Sequence, residues 1–224
     1  CGSDVLSNFP TGYLNGAESI YGFSHNLISG SGCPDMGNIL VMPAAGKISA
    51  NFSSNKSSYI NEQASPGYYS VLLEDPEILV ESTVSQRTSF SSYTFSQDTD
   101  SANIIIDLHH SMIAASDAYI KIISDTEIEG WSSSGCFCNS GASRIVHFVA
   151  RFDQAFYKSG TYNNNGVYTD IQELSGQYTG AYMSFKTNQD EPILMKVGIS
   201  YVSIENAREN LNTEQENWNF EQSR

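Results

Sequence analysis

The chain has 224 residues with 25 acidic against 11 basic side chains, a formal net charge of −14, so it repels a phosphate backbone over most of its surface and nucleic acid is excluded as a partner. Its length suits one large domain with a substantial core, and no apolar segment reaches the roughly 18 residues that a membrane-spanning helix needs. Thirteen Tyr and two Trp leave ample aromatic surface for a neutral ligand such as a sugar.

In chain order, short runs rich in β-branched and aromatic residues alternate with Gly, Asn, Asp, Ser and Pro, the texture of antiparallel β structure. The opening stretch SIYGFSHNLISGSGCPDMGNILVMP, residues 19–43, sets two apolar runs around a Gly- and Ser-rich loop with one His, one Cys and one Asp. The polar stretch from Ile48 to Gly67 reads as a loop. GYYSVLLE and EILVESTVSQRTSF flank Asp75-Pro76 and predict a hairpin. SSYTF, ANIIIDL, AYIKIISDTEIEG, SRIVHFVARF, GAYMSFKT and PILMKVGISYVSI follow as strands, with Asn165-Gly166 as a hairpin turn. Within SRIVHFVARF, alternation assigns Val146, Phe148, Ala150 and Phe152 to the core and Ile145, His147, Val149 and Arg151 to the opposite face. From Ser203, an N-cap residue followed by Ile204, Ala207 and Leu211 predicts an amphipathic helix that either folds back on the strands or leads into a second domain. The fold class is all-β: an antiparallel two-sheet sandwich over 1–202, with a helical segment over 203–224.

The chemical motifs are mostly absences. There is no G-x-S-x-G, no Walker loop and no H-E-x-x-H. Cys1, Cys33, Cys136 and Cys138 allow up to two bridges in pairings the sequence does not fix. The Cys136-x-Cys138 pair finds no second ligand pair among His25, His109, His110 and His147, so no metal site is expected. DTDSANIIIDLHH places Asp107 and His109 on one strand face and His110 on the other, and reads as a strand end in a loop. No two carboxylates stand out as a glycoside-hydrolysing pair. The opening CGSD suits a lipoprotein carrying its lipid on Cys1, and equally a fragment boundary. In the opening loop, His25 and Asp35 can hydrogen-bond sugar hydroxyls; alternatively Gly30, Gly32 and Gly37 serve turn geometry, Cys33 is buried and His25 braces the turn.

GYLNGAESIYGFSHNLISGSGCPDMGNILVMP resembles a segment of glycoside hydrolase family 92, in spacing throughout, from Gly12 and Tyr13 through Phe23, Ser24, His25, Ser29, Gly30, Gly32 and Cys33 to Asp35, Gly37 and Pro43. The likeness continues in ASPGYYSVLLEDPEILVESTVSQRTSFSSYTF, GWSSSGCFC, VHFVARFD and GAYMSFKTNQDEPILMKVGISYVSIENARENL, from about Thr11 to Phe220. It implies the N-terminal domain of an exo-α-mannosidase: a galactose-mutarotase-like super-sandwich, with residues 203–224 as a linker helix toward an (α/α)6 catalytic barrel. The implied activity is the inverting, calcium-dependent release of terminal mannose from α-mannosides or N-glycans. The resemblance assigns the catalytic carboxylates and the calcium to the barrel, so no catalytic or metal residue is expected here and this chain alone is expected to be inactive. His25, Asn26, Ser29 and Asp35 are the expected substrate-binding residues, at the domain interface. The implied setting is secreted, periplasmic or on the outer cell surface.

Departures from the family pattern matter too. Its opening N-P-F-I-G-T, G-H-G-H-T and P-F-G-M segments do not precede Tyr13, so the sandwich is expected to lack its first strands. Pro10 stands where some members carry a Cys, which leaves the preferred linkage open. Ser89 and Ser91 replace a Gly and a His and read as structural changes. Two other readings remain: a free-standing carbohydrate-binding sandwich, with Trp131 the first aromatic to test, and a cell-envelope interaction module.

Overall fold

A computed structural model describes residues 13–27, 35–113, 115–135 and 143–224, together with the backbone of Gly2–Asp4. Two antiparallel sheets face each other. The first runs in the order β1 (Gly2–Asp4), β2 (Gly22–Ser24), β3 (Leu40–Ala45), β8 (Thr99–Asp107), β15 (Gly180–Thr187), β12 (Lys158–Asn163), β13 (Gly166–Tyr168). The second runs β14 (Glu173–Ser175), β9 (Asp117–Ile122), β10 (Glu127–Gly135), β11 (Ser143–Phe152), β16 (Pro192–Ser200), β7 (Thr88–Phe95), β6 (Glu77–Val84), β5 (Tyr68–Glu74), β4 (Tyr59–Ser65). This is the two-sheet architecture that the strand pattern predicts.

Side-chain alternation builds the core between the sheets. Val146, Phe148, Ala150 and Phe152 of β11 are buried there, as are Ala102, Ile104 and Ile106 of β8 and Ile193, Met195 and Val197 of β16. Each large apolar side chain so buried contributes about 1.5–3 kcal/mol. On the far side of the first sheet a smaller cluster joins Ala44, Ile105, Tyr162 and Tyr182, with Ile48 and Phe52 packed against it.

Three local expectations change. The stretch from Ile48 to Gly67 is not all loop: it holds a 3-10 turn, Phe52–Asn55, and the edge strand β4. An edge strand with little buried surface shows no apolar alternation, which hides it from pattern reading. The hairpin after β12 turns at Asn164 and Asn165, with Asn163 paired to Gly166, one residue earlier than expected. His109 and His110 lie beyond the end of β8, so strand alternation does not apply to them.

The helix α1 (Ile204–Glu214) is capped by Ser203, whose Oγ accepts from the Asn206 N–H at 3.1 Å. It folds back on the sandwich, burying Ala207 and Leu211 against Val149, with Ile204 beside them. Val149, on the outward face of its strand, is thus covered. Gly198 of β16 permits the close approach, since a Cβ there would meet the Ala207 carbonyl oxygen and lie 2.8 Å from Leu211 Cβ. Beyond α1, Lys196 Nζ donates to the carbonyls of Gln215 and Asn217 at 3.1 and 2.6 Å, with Nζ 4.0 Å from the Trp218 ring centre. Among the described residues no helix is long and apolar enough to cross a membrane.

Candidate functional site

Three residues in one short segment of the opening stretch have left-handed backbone conformations: Met36 (φ 66), Gly37 (φ 74) and Ile39 (φ 58). Gly37 adopts this without penalty, but for a β-branched residue such as Ile39 it is a genuine outlier costing about 1–3 kcal/mol, and it persists only if its surroundings over-determine it. They do.

Asp35, 3% exposed, accepts from the Met36 N–H at 2.8 Å and from Arg144 Nη1 on β11 at 2.6 Å. Asn26 clamps Asn38 twice: its Oδ1 accepts from the Asn38 N–H at 2.6 Å and its Nδ2 donates to Asn38 Oδ1 at 3.1 Å. Asn38 Nδ2 donates to Ser132 Oγ at 3.0 Å, its Oδ1 accepts from Ser134 Oγ at 3.0 Å, and Ser132 Oγ donates to the Leu108 carbonyl at 2.9 Å. This satisfied buried network ties the start of β3 to both sheets.

His25 completes the frame. Its Nδ1 lies 2.8 Å from the Ile39 carbonyl and its Nε2 3.0 Å from Ser89 Oγ on β7. A carbonyl only accepts, so Nδ1 carries the proton and Nε2 accepts from the serine hydroxyl. Burial pushes the imidazole down to about 4, so it is neutral at pH 7 and both ring nitrogens are engaged within the domain.

Beside this frame lies an open groove of about 800 Å³, lined by Asn26, Leu27, Met36, Arg144, Ile145 and Tyr201 among others. Exposed apolar side chains lie at and near it: Ile145 is 43% exposed, Tyr201 52% and Val202 75%. Asn26 Nδ2 reaches the Tyr201 hydroxyl at 3.4 Å, joining frame and groove. The arrangement can present a rigid, half-apolar rim with a guanidinium and amide groups. Among the described residues it holds no pair of carboxylates placed for acid–base work. Among the described residues no group of three or more His, Cys, Asp and Glu is placed to hold a metal ion.

Of the expected site residues, His25, Asn26 and Asp35 meet in this one network. Ser29 and the four cysteines lie outside the described residues. Sequence reasoning missed Asn38, Ser89, Arg144 and Tyr201. Ser89 carried a signal as a departure from the family pattern; Arg144 on β11 and Tyr201 just beyond β16, both far along the chain, carried none. Trp131, the alternative sugar platform, stacks on Tyr119 with ring centres 6.4 Å apart on the outer side of the second sheet.

Residues 4–200 match the model of the glycosyl hydrolase family 92 N-terminal domain. A family GH92 alpha-mannosidase from Bacteroides thetaiotaomicron is 27% identical with a TM-score of 0.86, over 95% of this chain and 30% of that one. Its complex with mannoimidazole matches at 27% identity and a TM-score of 0.83, over 92% and 29%. A family GH92 inverting mannosidase of the same organism, 20% identical with a TM-score of 0.81 over 99% and 29%, shares the fold. The chain thus spans about 30% of the length of these mannosidases. A eukaryotic translation initiation factor 3 protein of Arabidopsis thaliana is 36% identical over 74 residues, 33% of this chain and 24% of that protein, an overlap too short to show a shared family.

Proposed function

This chain belongs to glycosyl hydrolase family 92 through its N-terminal domain, and on that premise we propose that it is the non-catalytic part of a calcium-dependent, inverting exo-α-mannosidase acting outside the cytoplasm. The substrate class is α-mannosides, N-glycans included. The observation that carries this reading is the likeness at 27% identity and a TM-score of 0.86 to an alpha-mannosidase over 95% of the chain.

In this reading the groove beside Asn26, Arg144 and Tyr201 faces the catalytic domain, and the strained segment after Asp35 is held so that the rim of the sugar pocket keeps its shape. His25 then acts by bracing the segment, because both its ring nitrogens are already bonded. The apolar exposure of Tyr201, Val202 and Ile145 supports a covered surface. Calcium, with the catalytic carboxylates, is assigned to the remainder of the protein.

Tyr201→Ala in the full-length protein is expected to lower kcat/KM for an α-mannoside at least about tenfold, the worth of about 1.4 kcal/mol of interface contact. The thermal stability of the isolated 224-residue chain should not change, since the side chain is half exposed. An unchanged kcat/KM overturns the interface. Chelation of calcium should abolish mannose release, and NMR of the first product should show β-mannose. Activity in chelator, or α-mannose first, contradicts those parts of the proposal.

A further inference from the structure

The first sheet carries a second cavity, of about 590 Å³, that this reading does not use. Asp107, the last residue of β8, lines it from the outer face and is 7% exposed. Asp107 Oδ1 accepts from the His110 N–H at 2.8 Å and Oδ2 accepts from the Tyr162 hydroxyl at 3.2 Å. A carboxylate has about four acceptor sites, so acceptor capacity remains. Phe52 forms an apolar wall. At the rim Tyr178, 43% exposed, packs on His109 with ring centres 4.2 Å apart, and His109 is fixed through Nδ1 to the Gln177 carbonyl at 3.1 Å. Ser111 also lines the cavity; it is 8% exposed and its hydroxyl has no hydrogen-bond partner among the described residues.

These features select a ligand class. Among the described residues no Lys or Arg lines the cavity and the Asp107 carboxyl does, so an anion is disfavoured. A purely apolar ligand would leave the Ser111 hydroxyl unmet, at about 1–3 kcal/mol, and the spare acceptor capacity of Asp107 unused. Burial pushes the Asp107 carboxyl up, weakening its attraction for a cation. What fits is a neutral molecule with one CH face and several hydroxyls, and the volume lies within the range of small-molecule sites.

We propose that this cavity is a saccharide-binding site in which a sugar packs its CH face on Tyr178 and hydrogen-bonds Asp107. The site stands on its own chemistry; only the choice of a mannoside as first probe rests on the α-mannosidase reading. The chain has four His, of which His109 and His110 line the cavity while His25 and His147 do not. The 224-residue chain labelled with 15N at histidine is therefore titrated with α-linked mannobiose, then with galactobiose and cellobiose.

One of these sugars is expected to shift the His109 and His110 signals at millimolar concentration and leave His25 and His147 in place. Tyr178→Ala should weaken that binding about tenfold, the worth of one aromatic face, with Tyr178→Phe retaining it and the thermal midpoint unchanged in both. No shift at His109 and His110 with any of the three, a shift centred on His25, or binding that survives Tyr178→Ala overturns the site. Loss of this site with mannose release intact in the full-length protein leaves the α-mannosidase reading standing. Binding here without mannose release has the opposite meaning.

Discussion

Replacing Gly198 by Ala puts a methyl group where β16 and α1 come closest. The new carbon would meet the backbone oxygen of Ala207 and lie 2.8 Å from Leu211 Cβ and 3.2 Å from Leu211 N. Carbon atoms pack at about 3.5–4.0 Å, and backbone atoms cannot rotate out of the way, so the helix must move off by roughly 1 Å. That shift loosens Ala207 and Leu211 from Val149 and pulls on the Lys196 bonds to Gln215 and Asn217. Overpacking of this kind costs about 1–3 kcal/mol, which at a urea m-value of about 2–3 kcal/mol per molar lowers the unfolding midpoint by roughly 1 M. Urea titration of the 224-residue chain, followed by far-UV circular dichroism, reads this directly. A variant whose midpoint and slope match those of the parent would refute the docked position of α1.

Two further outcomes follow from the site. Burial holds His25 and His110 down to about 4, against about 6.5 unfolded. A depressed His contributes fully above pH 6.5 and loses that stability as pH falls toward 4, at most about 3 kcal/mol each. His25→Asn should therefore flatten the pH dependence of the urea midpoint between 6.5 and 4, and identical slopes for parent and variant would refute the burial. Arg144→Met leaves the Asp35 carboxylate, with only 2% of its side chain exposed, without its cation. The cost is about 2 kcal/mol, discounted because the arginine is itself partly solvated. Adding Asp35→Asn should restore part of the loss in thermal melts; a double variant no better than the single one would show that the ion pair is not what holds the segment.

Much of the scaffold was legible because each strand answers to one period. Val146, Phe148, Ala150 and Phe152 alternate into the core as read, and Ala207 and Leu211, with the partly buried Ile204 beside them, form the packed stripe of α1. What escaped depends on neighbours far along the chain. Val149 and Lys196 lie on the outward faces of their strands and are buried only because residues after 203 return over them. β4 is an edge with polar residues on both faces and gives no alternation to read. At the site, the opening motif identified the segment, but not that Ile39 is left-handed or that Arg144 and Ser89 hold its two sides. Those contacts are made across sheets, and no local spacing encodes them.

The most direct test of the account is mannose release by the full-length protein that contains this domain, measured on an α-linked mannobiose beside the 224-residue chain alone. The account predicts mannose from the full-length protein and none from the chain. Mannose released by the chain alone, or none from a folded full-length protein on any α-mannoside, would contradict it.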